Sequence, residues 1–140
     1  MIKISTPQTA LAILVLLAMV QLSGCASNKP NPDLDLGGMD LEEAFTGAMQ
    51  RVNQILGGIN SMESAEKANE ELELVSMGMD DLIFNSQKLS PNGQTALSMI
   101  AVEEASNLEN LIAQVNNQPV IAEAVGGTLQ EILGKIRQLI

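Results

Sequence analysis

"AEKANEELELVSMGMDDLIFNSQKL", residues 65–89, decides the fold. Ala65, Ala68, Leu72, Val75, Met79, Leu82, Ser86 and Leu89 follow one another in alternating steps of three and four. That spacing lines side chains up in one seam of an α-helix packed against other helices. A half-buried strand would need every second residue apolar, and the stretch has no such alternation. Leu74, Ile83 and Phe84 are expected to widen the seam, with Ser86 its one polar position. The helix is predicted to start near Asn60 or Ser61.

The same period extends to both sides. Upstream, Asp40 precedes Leu41-Glu42-Glu43, an N-cap followed three residues later by an acid that can reach back to it. Leu41, Ala44, Phe45, Ala48, Met49, Val52, Ile55, Leu56 and Ile59 then form a broad apolar face that ends at Gly57-Gly58. Downstream, Ser90-Pro91 restarts the chain with a capping serine and a proline at the first helical position. That third helix carries Leu97, Ile100, Ala101, Ala105, Leu108, Leu111, Ile112 and Val115, up to the turn at Asn116–Pro119. A last segment carries Ile121, Val125, Leu129, Ile132, Ile136 and Leu139. Gly126-Gly127 followed by the cap-like Thr128-Leu129-Gln130-Glu131 predicts a kink or split there.

Apolar faces joined by short turns must cover one another, and an all-α, up-down bundle of about four helices is the simplest arrangement. Residues 39–140 are assigned to that domain. A looser helical oligomer, zipped as a coiled coil along the residue 65–89 seam, is the competing arrangement. Residues 25–38, "CASNKPNPDLDLGG", show no apolar period and are expected to form a flexible tether.

Composition excludes several functions. There is no histidine, and the single cysteine, Cys25, rules out a disulfide within the chain. Ser-His, Cys-His and histidine-ligated zinc chemistry are therefore out of reach, and no phosphate-binding glycine loop is present. No catalytic residue, metal ligand or cofactor is predicted, and the chain is not expected to be an enzyme. Asn31, Asp33, Asp35 and Glu42 imitate some EF-hand positions, but Leu36 stands where the loop requires glycine. Met77 and Met79 lie two apart, on different faces of a helix, so core filling rather than copper binding is expected.

Acidity is the other strong signal. The chain has 17 acids and seven bases. Glu63, Glu66, Glu70, Glu73 and Asp80 follow a 3-4-3-7 spacing that lines the face opposite the seam. The simplest role is a solvated face, and the sharper one is a docking strip for a basic partner or for bridging divalent cations. Nucleic acid is not expected as a partner, because like charge repels it.

The N-terminus supplies an address. Lys3 is followed by "ALAILVLLAMV", residues 10–20, an apolar run of signal-peptide length that falls short of a membrane span. Leu22-Ser23-Gly24-Cys25 follows and resembles the lipobox of bacterial lipoproteins. The resemblance implies removal of residues 1–24 and lipidation of Cys25 through its sulfur, with further acylation, such as palmitate, on the new amino group. Removal would leave all the acids and six of the bases, a formal charge of −11. Ala26 in place of aspartate implies, by the same resemblance, an outer-membrane protein facing the periplasm. In a host with one membrane it would sit outside the plasma membrane. Murein lipoproteins are similar in being acylated and helical, but this chain breaks into several helices and ends in Ile140. Attachment to peptidoglycan through a C-terminal lysine is not expected. Two roles follow for the mature part. One is a structural or interaction protein that binds another envelope component, with homo-oligomers allowed. The other is a carrier of a small apolar or lipidic ligand between its helices.

Overall fold

The computed structural model describes residues 31–140, so the signal segment, the lipobox and Cys25 lie outside the described residues. The domain is an all-α four-helix bundle: α1 (Leu41–Gly57), α2 (Met62–Ser86), α3 (Pro91–Asn116) and α4 (Pro119–Arg137). A 3₁₀ turn (Pro32–Leu34) and a two-stranded hairpin, β1 (Asp35–Leu36) and β2 (Met39–Asp40), precede them.

The helix starts follow local chemistry. The Asp40 carboxylate accepts from the Glu42 and Glu43 amides at 2.9 and 3.2 Å and caps α1. Ser61 and Ser64 form a reciprocal capping box at the start of α2. The Ser90 hydroxyl accepts from the Gly93 amide at 3.1 Å, with Pro91 in the first turn of α3. Pro119 opens α4, which runs unbroken through Gly126-Gly127. The predicted split does not occur. Leu129, Ile132, Leu133 and Ile136 are buried and anchor the helix beyond the glycines. Thr128, expected to cap a new helix, instead donates to Asn69 Oδ1 of α2 at 2.6 Å.

The core matches the apolar period closely. Ala65, Ala68, Leu72, Met79, Leu82 and Leu89 of the α2 seam are buried, as are Leu41, Phe45, Met49, Val52, Ile55 and Leu56 of α1. Leu97, Ala101, Leu108 and Val115 of α3 and Ile121, Val125 and Leu129 of α4 complete it. Two predicted seam residues are corrected: Leu74 and Phe84 are 67% and 61% exposed. Met79 is fully buried while Met77 is 64% exposed, as positions two apart on a helix require.

The order of packing is not the order of the chain. α4 inserts between α2 and α3, so the main seams are α1–α2, α2–α4 and α3–α4. Cross-links fix the directions. Thr128 meets Asn69 and Lys135 meets Asp80, so α2 and α4 run parallel. The short connections around Gly58–Ser61 and Asn117–Gln118 make α1–α2 and α3–α4 antiparallel.

Residues 31–38, expected within the tether, are packed onto the bundle. Leu34 is 1% exposed, and its 3₁₀ turn rests on α3. A Cβ at Gly93 would overlap the carbonyl oxygen of Asp33, so glycine lets the two backbones touch. Gly37 and Gly38, at φ 59° and 96°, form the two-residue loop between β1 and β2, where positive φ is needed at both positions. The Asp35 carboxylate accepts from the Gly38 amide at 2.8 Å, and Asn31 Oδ1 from the Asp33 amide at 3.0 Å. Asn31 and Asp35 thus serve as local caps, and no cluster of three or more metal-ligating groups occurs among the described residues.

Candidate functional site

α2 shows three sides: a core-facing seam, an edge against α4 and an edge against α1. Its outward surface lies between the two edges. Glu63, Glu66, Glu70, Glu73 and Asp80, predicted to share one face, are all exposed on that surface. The row continues at Met77 and Phe84, through steps 73-77-80-84, with apolar side chains in place of acids. Met77 and Phe84 are exposed, and Lys88 covers the Phe84 ring with its ammonium 4.5 Å from the centroid. The outward surface is therefore acidic toward the start of α2 and mixed with exposed methionine and phenylalanine toward its end.

The α4 edge carries a polar ladder. Asn69 accepts from Thr128 and donates to Glu73 Oε1 at 3.1 Å. Two turns further along α2, Ser76, only 2% exposed, donates to Glu131 Oε1 at 2.6 Å. Lys135 reaches back from α4 to the Ser76 carbonyl oxygen at 2.9 Å, to Asp80 at 3.0 Å and to Glu131 at 3.3 Å. The hydrogen bond from Ser76, then that from Lys135 and its charge, hold the Glu131 carboxyl below its ordinary value. Burial alone would lower Lys135, but its hydrogen bonds and attraction to Asp80 and Glu131 outweigh that and raise it. The strip thus divides, with Asp80 tied to α4 while the four glutamates extend along the outward surface.

The α1 edge is built differently. Ala44 and Ala48 of α1 line a groove of about 520 Å³ with Val75, Gly78 and Leu82 of α2, opened by the short side chains at 44, 48 and 78. Met39 and Leu74 stand on its rims, 48% and 67% exposed. Arg51 and Glu71 bridge one end as an ion pair, and Asp81 lines the other. Gly78 has open space where a Cβ would project.

Sequence reasoning found the acids and missed the groove and the exposed Leu74. The signal was present: 74 and 84 lie away from the 65-68-72-75-79-82 line, and Gly47 and Gly78 interrupt helices at outward positions. Among the described residues no helix is long and apolar enough to cross a membrane. No family model, curated protein or solved structure matches this chain.

Proposed function

We propose that the chain is a lipid-anchored protein of the bacterial envelope with a binding rather than a catalytic role. Its acyl group is carried on Cys25, and its acidic helical domain engages another periplasmic or outer-membrane component. The observation that carries the binding role is the outward surface of α2, where Leu74, Met77 and Phe84 stand exposed beside a row of glutamates. Large apolar side chains grouped on a surface and rimmed by polar ones mark interaction sites. The lipobox-like Leu22-Ser23-Gly24-Cys25 supports the anchor. The carrier role draws less support, because Phe45, Leu72, Met79, Leu108 and Leu129 fill the space between the helices with little or no exposure.

Two measurements test the proposal. Intact mass of the membrane-extracted protein should show cleavage before Cys25 and added lipid, and Cys25→Ser should move the protein to the soluble fraction. Changing Glu63, Glu66, Glu70 and Glu73 together to glutamine should reduce crosslinking to envelope partners. A serine variant that stays equally membrane-bound would remove the anchor, and unchanged partners would remove the acidic strip from the interface.

A further inference from the structure

We infer that the α1–α2 groove receives a basic amphipathic helix from the envelope partner, with apolar side chains seated over Ala48 and Gly78 and cations facing the glutamates of α2. This deepens the interaction role proposed above and depends on it only for the cellular setting.

Shape, polarity and charge converge on that occupant. Ala44, Ala48 and Gly78 keep the lining low beside Val75 and Leu82, and Gly78 presents bare backbone with nothing within 4 Å of the Cβ position. A third helix can approach such a lining closely, since the size of the side chains at a contact sets the interaxial distance. Leu74 gives the rim an exposed apolar contact of the kind that anchors a helix in a groove. The surroundings then select the sign of the partner. Glu70 and Glu73 flank Leu74 along α2, and Asp81 lines the groove itself. Arg51, a cation on the groove wall, is already engaged by Glu71. An acidic helix or an anionic bilayer would be repelled, and a second copy would bring two chains of formal charge −10 together. A helix with a leucine stripe flanked by lysines satisfies all three conditions.

The test uses the full lipidated chain in nanodiscs of zwitterionic lipid and a fluorescent 18-residue probe with leucines at three- and four-residue spacing and lysines on the flanks. Anisotropy should show saturable binding that falls at least tenfold in Gly78→Leu, whose added side chain occupies the groove. Circular dichroism and the melting temperature of that variant should match or exceed those of the parent. Ala113→Leu, at an exposed position on α3, should bind as the parent does. The same peptide with glutamate for lysine should not bind. Three results would each overturn the proposal: undiminished binding by Gly78→Leu, equal binding of the glutamate peptide, or a sedimenting dimer that Gly78→Leu dissolves. Cys25→Ser, tested alongside, separates the two readings. Loss of its membrane attachment with Gly78-sensitive binding retained supports both, whereas attachment that survives the substitution removes the anchor and leaves the groove standing.

Discussion

Along its α4 edge, α2 is fastened by Asn69, Ser76 and Asp80 reaching Thr128, Glu131 and Lys135; along its α1 edge, Ala44, Ala48 and Gly78 leave it uncovered. The same helix thus meets α4 through polar side chains that span the seam along its length, and α1 through a seam that Arg51–Glu71 bridges at one end and Ala44, Ala48 and Gly78 leave open beyond it. Apolar periodicity is equally good on both sides. The difference comes from what flanks the period: successive hydrogen-bonding residues on the α4 side, and on the α1 side one ion pair followed by alanine and glycine. A seam of the first kind fixes a partner within the chain, while one of the second kind leaves apolar surface for a partner from outside.

The comparison can be broken most severely at the residue that serves both seams. Leu72 is fully buried at the centre of α2. Leu72→Ala should cost about 2–5 kcal/mol in chemical denaturation, and both edges should loosen together. Gly93→Ala comes next, at roughly 1–3 kcal/mol, since the new methyl meets the Asp33 backbone and must displace the 3₁₀ turn. Hydrogen exchange should then show lost protection at Leu34 while α2 keeps its own.

Smaller changes sharpen the contrast. Asn53 of α1 is 4% exposed and its Oδ1 has no hydrogen-bond partner. Asn53→Leu should raise stability by about 1 kcal/mol in the same denaturation assay, because a buried acceptor without a donor carries its full desolvation cost. On the open edge, Gly78→Ala should stabilise by roughly 0.5–1 kcal/mol, through helix propensity and without a clash. Gly126→Ala should do likewise, since α4 is continuous there and a methyl meets nothing, and thermal melts would show both gains.

The smallest effect is read through pH. Glu131 is held below its ordinary 4.5, so its contribution is complete above that value and is lost as pH falls through the lower folded-state value. Ser76→Ala removes the leading cause and should flatten the fall in melting temperature between about pH 5 and pH 3. Burial raises Glu104, which works in the opposite sense: protonation relieves it, so stability gains as pH falls. The comparison is therefore made in a Glu104→Gln background.

Much of the bundle was readable from the chain. Asp40, Ser90-Pro91 and the three-four spacing place four helices because capping and amphipathicity are local. The insertion of α4 between α2 and α3 was not readable, because any pair of apolar faces satisfies the period and only Thr128, Glu131 and Lys135, meeting partners on α2, specify this pair. Gly126-Gly127 misled because the propensity cost of glycine was outweighed by burial of Leu129, Ile132 and Ile136 on the same helix. Leu34 stood alone without a period, although "DLGGMD" was a hairpin signal once Gly37 and Gly38 are read as a two-residue loop. At the candidate site the acids were visible by spacing. The groove was not, since its floor depends on which outward small residues of two helices come to face each other.

The contact of the Asp33 backbone with Gly93 would also set which way a lipid-anchored body hangs. Residue 31 leaves the bundle at the end where α2 finishes and α3 begins. A lipid handle upstream of it would hold that end nearest the bilayer. Glu66 lies twenty helical residues from Ser86, roughly 30 Å away at 1.5 Å per residue. Electrostatic fields in physiological salt decay over about 8 Å. The first turns of α2 would therefore be screened from the headgroup layer, and their carboxylates would address the compartment beyond it.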